Sequence, residues 1–406
     1  MVVFYFFAAI VIWLGILSLR GGLRFAGYVR SETSKPLADF TPYVSVFAPC
    51  RGLEDGLEQN LTALFEQDYP AYEIIFVSDR ADDPALALIA KLTEAQQAAS
   101  RVSTKLIIAG PATDSGQKVH NLRTAIGSAD TRSEVFVFVD TDARPQSGWL
   151  RSLIAPLADE KMGAASGYRW FIPVNGGLAS HLRAVWNASI ASALGAGEDK
   201  NFCWGGSTAI RKSTFESLQI GERWRGTVSD DFTLTRALQE AKLPIHFVPA
   251  CLVPALDSCT MRELFEFTNR QLKITRVYAP HLWKPVFLGS LLFCLVFFGG
   301  AILIIVRAMR HESIIVPLSL LVIIYLLGTL KAHLRLNALV VALPAYSREL
   351  RQVWFVHLAL WPITSALYLW NAIVAAASRR IKWRGITYEL KSPTEAVIIA
   401  RESDKL

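Results

Sequence analysis

Four stretches of this chain are too long and too apolar to sit inside a soluble domain, and they constrain everything else. The first, Val2 to Leu19, carries no charged side chain and ends at Arg20, with Arg24 and Arg30 following. As a helix rising about 1.5 Å per residue it just crosses a hydrocarbon core of about 30 Å. No basic stretch precedes it and no small-x-small cleavage site follows, so residues 1–20 read as an uncleaved anchor rather than a signal peptide. The basic residues behind it place the next segment in the cytoplasm. The other three runs, Pro285 to Val306, Ser313 to Leu330 and Val353 to Ala377, make residues 285–377 a membrane region. Leu336 to Leu343 is too short to span and is expected to lie along the interface. These runs absorb the apolar surplus of a chain that is 52% AVILMFWYC and 19% charged.

The formal charge of +7 collects near the ends of those runs. No basic stripe with interleaved aromatics stands apart from them, which argues against nucleic-acid binding. Five cysteines without a CxxC pair suggest neither a disulfide framework nor a zinc site.

Residues 43–256 have the texture of a soluble α/β domain. Short β-branched and aromatic runs (Val44 to Ala48, Glu73 to Ser78, Lys105 to Ala109, Val135 to Val139) alternate with helical stretches at Glu54 to Gln67, Pro84 to Leu92 and Val119 to Ile126. Strands separated by helices imply crossovers and a mostly parallel sheet. Ligands of such sheets bind beyond the carboxyl ends of the strands, where the polar residues of this domain gather. An amphipathic, basic segment over 260–283 leads into the membrane region, and a polar, basic tail occupies 378–406.

Val135-Phe-Val-Phe-Val-Asp140-Thr-Asp142 is the strongest local signal. Side chains two apart on an extended chain point the same way, so Asp140 and Asp142 can meet one hard cation, Mg2+ or Mn2+. A nucleotide diphosphate would complete such a shell. The competing reading is a helix cap or an Asx-turn. Asp79 ends a second strand and can accept from a nucleotide's ribose or base, whereas Asp83, before Pro84, suits a helix N-cap. Lys118 opens a helix, where a cation beside free N–H groups suits a diphosphate. Asp230 and Asp231 open a further helix; they are either favourable terminal charges or include a base for an acceptor hydroxyl.

Together these pieces resemble the family 2 glycosyltransferases of GT-A fold, most closely the ceramide glucosyltransferase branch. The resemblance rests on Val44-Ser-Val-Phe-Ala-Pro-Cys50-Arg51-Gly52, Phe76-Val-Ser-Asp79, Gln117-Lys118-Val-His-Asn121-Leu, Asp140-Thr-Asp142, Trp204-Gly205-Gly206-Ser207 with Arg211-Lys212, and Ser229-Asp230-Asp231. The ending Ile381-Lys-Trp383-Arg384-Gly385-x-x-Tyr388 matches too. It implies a Rossmann-like GT-A domain. Asp79, Lys118 and Asp140 would bind the donor nucleotide, Asp140 and Asp142 the metal, and Gly205, Gly206 and Ser207 would lie on the acceptor side. Asp231, beside Asp230, would be the base. The family's (Gln/Arg)-x-x-Arg-Trp motif appears as Arg270-Gln-Leu-Lys273-Ile274. Lysine holds phosphate as a point charge rather than a fork, and the tryptophan platform is gone.

What the resemblance implies is an integral membrane hexosyltransferase, moving glucose from UDP-glucose to a ceramide- or hopanoid-like lipid by a single inverting, metal-dependent displacement. A bacterial inner membrane and a Golgi/ER-type membrane both suit it. A polysaccharide synthase and an inactive membrane scaffold of the same fold are the rival readings. Three crossings after a cytosolic domain would leave Arg379, Arg380, Lys382 and Arg384 outside, against the positive-inside tendency. Val353 to Ala377, with Pro362 in its middle, is therefore a candidate for a re-entrant or interfacial segment.

Overall fold

The computed structural model describes residues 1–97, 102–173 and 176–402. In chain order the elements begin with α1 (Val2–Ser34), β1 (Val44–Pro49), α2 (Leu57–Phe65), β2 (Tyr72–Ser78), α3 (Pro84–Gln97), β3 (Val102–Ile108), α4 (Gln117–Ile126), β4 (Val135–Phe138) and α5 (Trp149–Ile154). There follow β5 (Ala164–Phe171), α6 (Leu178–Ala191), β6 (Thr208–Arg211), α7 (Lys212–Ser217), α8 (Ile220–Arg223), α9 (Asp230–Glu240) and β7 (Ile245–Ala255). The chain ends with α10 (Met261–Tyr278), α11 (Pro280–Met309), α12 (Ile315–Ala342), α13 (Ser347–Gln352), α14 (Trp354–Ala377), β8 (Arg380–Trp383), β9 (Ile386–Ser392) and β10 (Glu395–Arg401). They divide into two compact units, one of Met1–Ser31, Phe171–Ala193 and Leu256–Ser378, the other of Glu32–Trp170, Leu194–Ala255 and Arg379 onward.

The second unit holds a seven-stranded sheet in the order β3-β2-β1-β4-β6-β5-β7. β3, β2, β1 and β4 run parallel; β6 runs antiparallel to both β4 and β5. This is the mostly parallel, Rossmann-like sheet expected. Strict alternation sorts its side chains into two layers. Val135 and Val137 of β4 join one buried cluster with Leu61, Leu64 and Ile89, while Phe136 and Phe138 join another with Val119, Phe215 and Leu234. α2 is shorter than the stretch expected from Glu54 to Gln67, because Gly56 before it takes a left-handed backbone, φ 77°.

The polar, basic tail forms a three-stranded antiparallel sheet, β10-β9-β8, for which no secondary structure was expected. Its buried residues Ile386, Tyr388 and Leu390 alternate with more exposed ones, the mark of a strand with one covered face. β8–β10 belong to the same compact unit as the large sheet.

Four helices of the first unit are long and apolar enough to cross a membrane: α1, α11, α12 and α14, with mean hydropathy 2.6, 2.7, 2.1 and 1.4 over their most apolar windows. Leu336 to Leu343 does not lie apart on the interface; most of it is the final turns of α12. Lys331 and Arg335 interrupt the apolar run without ending the helix, since both are good helix formers whose stems can pack among apolar groups. Ala8, Val11, Val296, Leu321 and Ile324 form one buried cluster among α1, α11 and α12. A second joins α6, α10 and α14 through Leu182, Trp186, Leu264, Leu272 and Leu367. α10 opens with a capping box, Thr260 and Glu263 each bonding the other's backbone N–H.

Candidate functional site

Three parallel strands deliver polar residues to one edge of the large sheet. β1 runs into Cys50-Arg51-Gly52, β2 into Asp79, and β4 into Asp140-Thr141-Asp142. The register, Pro49 opposite Val77 and Phe47 opposite Phe138, sets these ends side by side.

Lys118, in the first turn of α4, ties the edge together. Its Nζ lies 2.7 Å from Asp140 Oδ1 and 3.2 Å from Asp230 Oδ2. Burial works to lower its pKa, but Asp140 and Asp230 outweigh burial and hold it raised, so the ammonium stays charged. Burial works to raise Asp140, yet Lys118 and Arg169 keep that carboxyl below its ordinary range. Asp230 is different. Burial, helped by the like charges of Asp231 and Asp140, pushes it up to about 6 against the pull of Lys118. Gly205 is held to glycine here, since a Cβ would strike both the Asp230 carboxylate and the Lys118 ammonium.

Arg169, on β5, was not singled out from sequence. One of its guanidinium nitrogens, Nη2, lies 2.8 Å from Asp142 Oδ1 and 3.6 Å from Asp140 Oδ2. The two carboxylates therefore converge on one cationic atom, from a turn closed by the Ala143 N–H on Asp140 O rather than from the extended strand expected. That geometry fits a divalent metal: two hard oxygen donors face a shared position, and both side chains keep some solvent exposure for further ligands. Among the described residues no group of three or more His, Cys, Asp or Glu could hold a metal, so a nucleotide diphosphate and water would supply the other ligands. Trp204 lies beside Arg169, whose guanidinium carbon is 5.2 Å from the ring centroid, and packs on Tyr168.

Asp79 is paired with Arg51, Oδ2 to Nη1 at 3.5 Å. Its Oδ1 is buried and accepts no hydrogen bond among the described residues. Asp83 caps α3, accepting from the Ala85 N–H, and also accepts from the Gly52 N–H and the Ser78 hydroxyl, which locks the β1 turn to the end of β2. Asp231 lies at the N-terminus of α9 with Oδ1 accepting from the Ser229 hydroxyl and, at 2.8 Å, the Phe232 N–H. Ser207 is fully buried, and its hydroxyl accepts from Trp149 Nε1 at 2.8 Å. Gly206 packs against the Trp204 ring. Arg270 and Lys273 lie on α10, in the other compact unit; burial lowers the pKa of Lys273.

The tail sheet supplies positioning contacts that the motifs did not reveal. Tyr388 Oη accepts from the backbone N–H of Gln117 at 3.1 Å, and Arg401 Nη1 donates to Gln117 Oε1 at 3.2 Å. Gln117 also donates to Gly110 O and Asn121 Oδ1, so the residue before Lys118 is held from several directions. Arg384 pairs with Glu54 at 2.5 Å and reaches Arg51 O. The alternation of β9 was the available signal for this sheet. For Arg169 it was a lone cation inside an otherwise apolar strand.

The model of glycosyl transferase family 21 matches residues 3–396. The chain belongs to glycosyl transferase family 21. The expected kinship on the ceramide glucosyltransferase side holds, the matching family being numbered 21 rather than 2. This family 21 chain is 25% identical over 250 residues to ceramide glucosyltransferase 1 of Caenorhabditis elegans, an alignment covering 59% of the chain and 51% of the relative. It thus spans about half the length of that curated relative. Among solved structures it is similar to a mannosyltransferase from Pyrobaculum calidifontis in complex with GDP-Man and Mn2+, with TM-score 0.47, 19% identity, and coverage of 91% of this chain and 98% of that one. Glucosyl-3-phosphoglycerate synthase from Mycobacterium tuberculosis, in complex with Mn2+ and UDP-glucose, matches at TM-score 0.36 and 15% identity, covering 61% and 80%.

Proposed function

We propose that this family 21 chain transfers a hexose, glucose from UDP-glucose, to the hydroxyl of a ceramide- or hopanoid-like membrane lipid, in one inverting displacement on the cytosolic side. The observation that carries the reading is the meeting of Asp140 and Asp142 on one cationic position, at the edge where Asp79 and Lys118 also stand.

Asp79, with its buried and unbonded Oδ1, suits a ribose hydroxyl or a base N–H of the donor. Lys118 and Arg169 are placed to take up negative charge on the departing diphosphate. Asp140 and Asp142 would hold Mg2+ or Mn2+, which when bound supplies Lewis-acid neutralisation of that leaving group. Asp231 accepts the proton of the lipid hydroxyl at Oδ2, its Oδ1 being fixed by Ser229 and Phe232. The hydroxyl oxygen attacks the anomeric carbon as the bond to the diphosphate breaks, so the configuration inverts. Gly205, Gly206 and Ser207 shape the backbone on the acceptor side, and Arg270 and Lys273 keep the positive charge of the family's phosphate- or acceptor-side motif.

Because β8–β10 belong to the same compact unit as the large sheet, we read the 256–378 segment as crossing an even number of times. α14 has the lowest hydropathy of the three later candidates, the largest buried share of its window, 33%, and Pro362 inside it. We read α11 and α12 as a crossing pair and α14 as the helix that does not complete a crossing. Arg379, Arg380, Lys382 and Arg384 then remain on the cytosolic side.

The deciding experiment is a lipid-product assay on the full-length protein in vesicles, with a panel of nucleotide sugars and lipid acceptors plus Mn2+. The expected product is a glycosylated lipid of inverted anomeric configuration, made best from UDP-glucose. Absence of lipid product from every donor would overturn the reading.

A further inference from the structure

The hairpin between β8 and β9 turns on two residues, Arg384 and Gly385, since Trp383 pairs with Ile386. Both take left-handed backbone, at φ 51° and 73°. Such a turn matches the twist of the strands it joins, but its first position suits Asn, Asp or Gly. Any longer side chain is strained there, because its Cβ crowds the following carbonyl oxygen. An arginine kept at a strained position signals a use for its side chain.

That side chain reaches the turn after β1. Arg384 Nη1 lies 2.5 Å from Glu54 Oε1 and donates to Arg51 O at 3.4 Å. Arg51 in turn pairs with Asp79 at the end of β2. The charge of Arg384 is also felt at Asp140, which burial works to raise and which Lys118, Arg169 and then Arg384 hold down. A cation from the tail thus stands beside the strand ends that carry Asp79 and Asp140. The pair with Glu54 does not account for the strain, because the two side chains are 38% and 34% exposed and an ion pair so placed contributes little. Both bonds of the guanidinium use Nη1; among the described residues Nε and Nη2 make none.

We propose that Arg384 binds the diphosphate of the nucleotide-sugar donor, through Nε and Nη2, while Nη1 stays anchored on the turn after β1. The planar fork of a guanidinium suits two phosphate oxygens at once. The proposal rests on reading the edge of Asp79, Lys118 and Asp140 as the donor site. It makes the tail sheet a supplier of a binding group, beyond the support that Tyr388 and Arg401 give to Gln117.

The test is calorimetry of UDP and of uridine, each with Mn2+, on the full-length protein in a mild non-ionic detergent, together with the thermal midpoint of each variant. Arg384→Asn removes the charge and suits the left-handed turn, so its midpoint should hold or rise. It should bind UDP about tenfold more weakly, the size of effect that one charge-assisted contact produces, and uridine as the parent does. Glu54→Gln leaves Arg384 in place and should keep the parent's affinity for UDP. Unchanged UDP affinity in Arg384→Asn would overturn the proposal and leave the donor reading standing. An equal loss of UDP and uridine, or the same loss in Glu54→Gln, would make Arg384 a clamp on the turn after β1 and overturn the proposal too. A parent protein that binds UDP no better than uridine would overturn the donor reading, and this proposal with it.

Discussion

Lys118 Nζ lies 3.2 Å from Asp230 Oδ2, so the first acid of the Asp230-Asp231 pair shares the cation that also meets Asp140, while the second accepts from the Ser229 hydroxyl and the Phe232 N–H at the start of its helix. The two acids should therefore fail differently. Asp231→Asn is expected to cost about 10² to 10⁴ in turnover with donor affinity little changed, because the amide keeps the shape but takes no proton. Asp230→Asn should be milder in turnover. Lipid glycosylation and nucleotide-sugar binding by both variants check this; an inactive Asp230→Asn beside an active Asp231→Asn would move the base by one residue.

The raised pKa of Asp230 gives a pH dependence of definite sign. A carboxyl shifted from 3.8 up to about 6 binds its proton more tightly in the folded state. Its contribution to stability is complete below the unfolded value and is lost as pH rises through the folded one. Thermal denaturation measured from pH 4 to pH 7 should show this loss in the parent protein, and a smaller one in Asp230→Asn. Equal slopes would contradict the assignment.

Asp142→Ala should abolish transfer and weaken metal-dependent binding of the nucleotide diphosphate, since one of the two oxygen donors is removed. Calorimetry with and without Mn2+ is the measurement, and a normal thermal transition in the variant excludes unfolding. Binding unaffected by the substitution would remove Asp142 from the metal site.

Tyr388→Phe removes the acceptor of the Gln117 N–H at a buried position. An orphaned buried donor costs about 1–3 kcal/mol, so the midpoint of thermal unfolding should fall and donor affinity should weaken through the displaced start of α4. A variant as stable as its parent would show that the contact carries no weight.

The topology can be read by single cysteines at exposed positions. Lys161→Cys in the catalytic unit and Lys391→Cys in the tail should be labelled by an impermeant reagent from the same, cytosolic, side, and Glu312→Cys between α11 and α12 from the other. Opposite labelling of Lys161→Cys and Lys391→Cys would break the argument for an even number of crossings.

Much of the architecture was legible because its signals are periodic and local. The uninterrupted apolar run of β4 announces its burial, and the uncharged run after Val2 announces a helix of membrane length. Arg169 was not legible, because a single arginine in a strand acquires meaning only when the fold sets it against Asp142. The α12 helix was cut short in the reading because Lys331 and Arg335 look like a flank when hydropathy alone is followed. The sheet in the tail was not legible for the opposite reason. Its charges dominate the composition, while the buried set Ile386, Tyr388 and Leu390 is small and the Gln117 partner of Tyr388 lies 271 residues upstream.

That long reach has a consequence for how the molecule is made. β8 to β10 leave the ribosome last, after α11, α12 and α14, yet Tyr388 and Arg401 close the loop in front of Lys118. A nascent chain that has emerged only as far as Ala255 already carries all of its acidic motifs, but Gln117 still lacks its distal partners. Translation order thus makes synthesis of α11, α12 and α14 a step that precedes completion of the edge around Lys118.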